Sequence, residues 1–316
     1  MKEVGIKASR RRVRPGNGIL FAATIILAVL FLAPVFFAII SAFKSNGEIL
    51  KNPMSLPTTL YLKNFQDLFA QSDFVTAIFH SVVLTLVSEV LIVFIVPMAA
   101  YAMERRRTRT TIFIYTYFLA GMMIPFHLYM FPLFKEMKMF GLFGNLAGPI
   151  ACYISGSVAF GSLLYCSFLK GVPLEIEEAA QIDGCNPFQT FWKVTFPLLG
   201  PCTASMVVLN GLGIWNDFLM PYLVLPSDRA KTITVEVYSF VGQYTARWDI
   251  VFAGTVCSII PALIIFVLLQ KYFVKGITAG AAKGEGARWD APALAERPGT
   301  AGAEDSAASC FLGGRN

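Results

Sequence analysis

The interval Pro173-Leu-Glu-Ile-Glu-Glu-Ala-Ala-Gln-Ile-Asp-Gly-Cys-Asn-Pro-Phe-Gln-Thr-Phe-Trp-Lys-Val-Thr-Phe-Pro197 separates two long apolar blocks and carries strong local helix punctuation. Pro173 suits the first position of a helix, and Glu175, Glu177 and Glu178 put negative charge near that helix's positive end. Gly184 is able to take the left-handed backbone that closes a helix, and Asn186-Pro187 reads as the N-cap and first residue of a second one. Pro197 is expected to end it. Two short helices meeting at a glycine hinge follow, with Ala179 and Ala180 expected to leave a shallow surface for another protein's side chains.

Around this interval the chain is 56% hydrophobic and 15% charged over 316 residues, far below the roughly one quarter charged in soluble domains. The apolar residues lie in blocks, which excludes a disordered chain and makes the bilayer the expected solvent. Six blocks approach the roughly 20 residues needed to cross the hydrocarbon core. They fall near 18–41, 76–101, 110–132, 145–168, 202–225 and 249–271. The first follows Arg10, Arg11, Arg12 and Arg14, but its apolar run is too long for a cleaved signal peptide, so an uncleaved signal anchor is expected. An all-α membrane protein of six transmembrane helices results.

Basic residues set the orientation. With a cytoplasmic N-terminus, 18 of the 26 Lys and Arg fall on the inner side, including the run Arg105 to Arg109, so the positive-inside rule puts both termini in the cytoplasm. The net charge of +6 is thereby assigned to topology and to lipid headgroups, not to nucleic acid. The six cysteines form no CxxC pair, so neither a disulfide framework nor a metal site is expected. No phosphate-binding loop, H-E-x-x-H or G-x-S-x-G is present, and no catalytic residue or cofactor is expected.

The spacing of Glu178-Ala179-Ala180, three residues, Gly184, nine residues and Val194-Thr195-Phe196-Pro197 resembles the EAA loop of permease subunits in binding-protein-dependent ABC importers. The likeness extends from the first span to about Gly284, through Leu50 to Phe69, Met123 to Phe134, Leu209 to Pro221 and Phe240 to Trp248. It points to the carbohydrate-uptake branch, which includes the smaller permease subunits of maltose transporters. Cys185 and Phe196 depart from the usual Ala and Leu. The resemblance implies a six-helix permease domain over 18–284, preceded by a basic cytoplasmic N-terminus, 1–17. It implies partners as well: a second permease subunit, separate ABC ATPase subunits, and an extracellular or periplasmic solute-binding protein. ATP hydrolysis is then expected on the partner, with Glu178, Ala179, Ala180, Asp183, Gly184 and Pro197 coupling the two, in a multi-pass protein of the bacterial plasma membrane. An amphipathic surface helix would favour Lys and Arg beside anionic lipid, whereas this loop is acidic and suits a basic protein cleft. Residues 285–316 contain eight Ala, five Gly and two Pro, so a disordered cytoplasmic tail is expected.

Carboxylates well inside a span are costly in lipid and face a bundle interior or a cavity. Glu89 continues a stripe with Ser81 and Thr85 on the second span; it reads either as a translocation-path residue or as a protonated acid bonded to a neighbouring helix. Asn210, Asn216 and Asp217 on the fifth span suit the hydroxyls of a sugar, and equally suit helix packing near an interface. The external loop Pro226 to Trp248 contains Gly242, Gln243, Tyr244 and Trp248. By resemblance it reaches toward the binding protein; an aromatic anchor at the membrane surface is the alternative. The function expected is inward movement of a carbohydrate or related polar solute by alternating access. An ion-coupled secondary carrier using Glu89 and Asp217 is the alternative.

Overall fold

The computed structural model describes residues 15–226, 230–242 and 245–286. Among them all regular structure is helical, apart from one isolated antiparallel bridge between Val241 and Ala246. The compact unit that ends at Gly276 is described below.

Four helices are long and apolar enough to cross a membrane among the described residues: α1 (Pro15–Ala42), α4 (Phe74–Arg105), α7 (Ala147–Leu169) and α14 (Trp248–Gly286). Short helices α2 (Asn46–Lys51) and α3 (Lys63–Gln71) join α1 to α4. The expected third span, 110–132, is instead two helices, α5 (Arg109–Met122) and α6 (Phe126–Met139), bent by 107°. Pro125 explains the break: it has no N–H to continue the ladder, and its extended backbone (φ −61°, ψ 137°) sits immediately before α6.

The expected fifth span, 202–225, is also broken. Between α7 and it lie α8 (Leu174–Ile182), α9 (Pro187–Gln189), a π-helical segment (Thr190–Thr195) and α10 (Phe196–Leu198). The axis bends by 77° between Pro187–Leu198 and the following helix α11 (Gly200–Asn216). α11 stops at Asp217, whose backbone is extended (ψ 128°), and a separate helix α12 (Leu219–Val224) follows. Pro221 has no N–H to give the Asp217 carbonyl, which accepts a hydrogen bond from Thr234 Oγ1 at 2.8 Å instead. If each bent pair counts as one span, the total reaches six.

The core is shared by α4, α7 and α11. Leu84, Ile92, Val96 and Ala100 of α4 pack with Tyr165, Cys166 and Leu169 of α7 and with Cys202, Met206 and Ile214 of α11. This close approach requires Gly161, because a Cβ there would meet the Val96 side chain and the Met206 methyl. A second core joins Leu68, Phe74, Trp215, Ile250 and Ile233, the last from helix α13 (Ile233–Tyr238). By contrast, α5 has no buried residue, and α1 leaves Leu20 to Phe36 bare, touching the rest near its C-terminal end through Phe37 on Phe252. In lipid such faces need no protein cover.

Two sets of loops gather at opposite ends of the bundle. At one end, Asn46 Nδ2 donates to Ala246 O at 3.2 Å and Arg247 pairs with Asp67 at 3.3 Å; at the other lie Arg105, Arg107 and α8 to α10. The expected N-terminal segment and tail fall largely outside the described residues, at 1–14 and 287–316.

Candidate functional site

Two features bring sequence-selected residues together: the α8–α10 loop and a cavity beside α11. In the loop, Pro173 occupies the N-cap of α8, one residue earlier than expected. α8 closes with the Gly184 N–H bonded to Gln181 O and the Cys185 N–H to Ala180 O, at 3.0 Å each. This paired closure needs a left-handed residue, and Gly184 has φ +87°. Asn186 then caps α9 reciprocally with Gln189, with Pro187 in its first turn.

Pro197 does not end the second helix. It lies inside α10, after the π segment, in which the Phe196 N–H bonds to Phe191 O, five residues back. The wider turn accommodates the ring without a clash at the carbonyl of Lys193, and the chain turns only at Leu199. The expected alanine surface is also halved: Ala179 is exposed, whereas Ala180 packs inward at 8% exposure. Glu178, Asp183 and Gly184 face outward, beside Phe188 and an 86% exposed Ile182.

Glu177, read from sequence only as charge at a helix start, turns inward. At 2% exposure it accepts from Arg105 Nη2 at 2.7 Å, from Arg105 Nε at 3.0 Å and from Tyr101 Oη at 2.9 Å. Arg105 Nη2 also donates to Val172 O at 3.1 Å. Removing one member of such a buried pair strands a charge, at a cost of about 3–5 kcal/mol. Nearby, Trp192 of the π segment stacks on Phe94 of α4, centroids 5.1 Å apart, and Phe191 meets Tyr101 at 5.0 Å.

The cavity has a volume of about 710 Å³ and lies between α6, α7, α11 and α12. Asn210, Asn216 and Asp217 line it together, with Tyr153, Ser157, His127 and Tyr129 among walls of Phe126, Phe160 and Leu209. A few polar groups among apolar and aromatic walls are what a small-molecule pocket needs. It lies where both spans are interrupted, since α6 follows the 107° bend after α5 and α12 follows the end of α11 at Asp217. Asp217 also caps the break. One carboxylate oxygen accepts from the Leu219 N–H at 2.9 Å and the other from Tyr153 Oη at 2.8 Å. Asn210 Nδ2 donates to Ser157 Oγ at 3.0 Å, and Asn216 Nδ2 to Leu212 O at 2.9 Å.

Glu89 lies apart from this cavity. It is 6% exposed, packed toward Gly211 of α11, and neither carboxylate oxygen has a hydrogen-bond partner. Its stripe neighbour Ser81 accepts from the Ile233 N–H at 2.8 Å, while Thr85 is buried and unpartnered.

At the opposite end, the Gly242 N–H bonds to Thr245 O at 3.1 Å, closing a small turn whose middle residues, Gln243 and Tyr244, lie outside the described residues. Trp248 begins α14, and its N–H bonds to Asn46 Oδ1 at 3.1 Å. The hydrogen bond from Arg247 to Asp249 raises the arginine's pKa above its ordinary value. No group of three or more His, Cys, Asp or Glu able to hold a metal occurs among the described residues.

Bent apolar spans, a side cavity and a capped two-helix loop at one end describe a multi-pass membrane transport subunit. Residues 95–279 match the family of binding-protein-dependent transport system inner membrane components, and the chain belongs to that family. It is 34% identical over 273 residues to the probable starch degradation products transport system permease protein AmyC of Thermoanaerobacterium thermosulfurigenes, covering 86% of this chain and 99% of that one. It is 32% identical to the multiple sugar-binding transport system permease protein MsmG of Streptococcus mutans, covering 81% and 93%. Among solved structures it is similar to a chain of a bacterial ABC transporter involved in the import of the acidic polysaccharide alginate. The TM-score is 0.69 at 22% identity, covering 81% of this chain and 96% of that one, a likeness of fold.

Proposed function

We propose that this chain is one membrane-spanning subunit of an ATP-driven ABC importer that carries a carbohydrate or related polar solute inward by alternating access. The observation that carries the reading is the α8–α10 loop, with its rigid double cap at Gly184 and Asn186 and an outward face of Glu178, Asp183, Ile182 and Phe188. An apolar knob rimmed by acid fits a basic cleft on a separate ATPase subunit. Glu178, Ala179, Ala180, Asp183, Gly184 and Pro197 are the residues assigned to that coupling, Ala180 and Pro197 by shaping the loop. Energy then enters from the partner's ATP hydrolysis, and a second permease completes the path.

Asn210, Asn216 and Asp217 are the translocation-path candidates the cavity supports, with Tyr153 and His127 beside them. Glu89 is better read as a buried acid between helices, since it does not line the cavity. The ion-coupled alternative draws little from Asp217, whose oxygens already accept from Tyr153 and from the start of α12. Gly242, Gln243, Tyr244 and Trp248 are assigned to the face toward the external binding protein. Both termini are cytoplasmic, with residues 18–284 as the permease domain, 1–17 as its basic inner flank and 285–316 as a tail.

Two experiments test this. Proteoliposomes holding the chain with its second permease and ATPase subunits should take up sugar only with ATP and a binding protein; ion-driven uptake by the chain alone overturns the reading. Reporters fused after Arg107 or Gly284 should be cytoplasmic and those after Lys51 or Arg229 external; the opposite pattern overturns the orientation.

A further inference from the structure

Residues Phe94, Met98, Tyr101 and Arg105 fall at helical spacings of four, three and four, so they form one stripe along α4. That stripe meets the coupling loop throughout. Phe94 stacks on Trp192, Tyr101 contacts Phe191 and bonds to Glu177, and Arg105 grips Glu177 with two nitrogens. Met98 and Arg105 also wall a groove of about 530 Å³ between α4 and the loop, with Leu174 and Phe188 on its other side. α4 is not a sequence neighbour of the loop: Arg105 and Glu177 are 72 positions apart.

The two ends of this contact differ in kind. The Phe94–Trp192 face is a stack of two rings, a contact without a directional bond between them. The Arg105–Glu177 joint is a planar fork on a carboxylate, and such a fork fixes angle as well as distance. Arg105 Nη2 also holds Val172 O, just before α8 begins. One guanidinium therefore ties both the entry to α8 and its first turn to the end of α4.

We infer that Arg105 is a positioning residue for energy coupling: through Glu177 it sets the attitude of α8, so that displacement of the loop is delivered to α4. The inference rests on the importer reading above. Rotation of α8 about this joint bears directly on α4, whose opposite side forms the core with α7 and α11 beside the cavity-lining residues.

The test uses the assembled transporter and reads solute moved per ATP hydrolysed, normalised to complex present. A merely structural role lowers the amount of complex and leaves that ratio alone. Arg105→Gln and Glu177→Gln should each lower the ratio at least fivefold with the ATPase subunit still bound. Arg105→Lys keeps the charge without the fork and should fall between. The exchange Arg105→Glu with Glu177→Arg should recover at least half of the wild-type ratio. An unchanged ratio in both single variants, or no recovery in the exchange, overturns the inference. Failure of the wild-type assembly to couple ATP to uptake instead overturns the importer reading, so the two failures are distinguishable.

Discussion

The α8–α10 loop and the side cavity are built in opposite ways. The loop's shape is dictated within a dozen residues: Gly184 closes one helix, and Asn186, Pro187 and Gln189 open the next. The cavity depends on residues far apart, since Pro125 bends one span, Asp217 ends another, and Tyr153 on α7 bonds across to Asp217. Local chemistry yields a part whose shape is held within one stretch of chain. Long-range chemistry yields a space whose walls belong to separate helices. A transporter needs both, and here they are assigned to different stretches of chain.

The largest expected effect breaks the loop. Gly184→Val puts a β-branched residue at φ +87°, a strain of about 1–3 kcal/mol, and should abolish uptake while the protein still inserts. Glu178→Lys should do the same by repulsion from the ATPase cleft, with co-purification of that subunit as the check. Normal uptake with the ATPase bound in both variants makes the loop a solvated connector.

Next is Gly161→Leu, which forces a side chain into Val96 and Met206. It should cost at least about 1–3 kcal/mol, read as a lower unfolding midpoint in detergent. An unchanged midpoint means that α4 and α7 are not held as closely as described.

Smaller and more local is Tyr153→Phe, which removes one hydrogen bond to the Asp217 carboxylate, worth about 1.5–3 kcal/mol for a charged acceptor. It should weaken apparent solute affinity with the ATP-coupling ratio kept. A change in coupling with affinity intact would erase the separation between loop and cavity. The smallest effect is expected at Glu89. Glu89→Gln and Glu89→Met should support uptake at rates within about twofold of wild type, because a side chain without hydrogen-bond partners gives up no bond when it is replaced. Lost uptake in both places Glu89 on the path instead.

What the sequence showed follows the same division. Gly184 and Asn186-Pro187 declared their helix boundaries through backbone preferences that act over a few residues, and α1, α4, α7 and α14 lie where the apolar runs do. An apolar run does not record its own bends, so 110–132 and 202–225 read as straight spans. The signals were present in part: Pro125 stands at one break, and Pro221, which has no N–H for the carbonyl of Asp217, stands just past the other. Ala180 was misplaced because composition does not say which face of α8 turns inward. Glu177 gave no hint of Arg105, because a buried pair 72 positions apart leaves no local spacing to read.

One consequence concerns α1, whose segment Leu20 to Phe36 is exposed throughout among the described residues. The fold asks those positions to be apolar and helical and asks little about shape. Over evolutionary time Leu, Ile, Val and Phe are free to interchange there, and relatives should diverge fastest along this helix. Gly161 and the residues it lets approach are under the opposite constraint. Drift in the first helix therefore measures elapsed time, and change at the α4–α7 contact measures altered architecture.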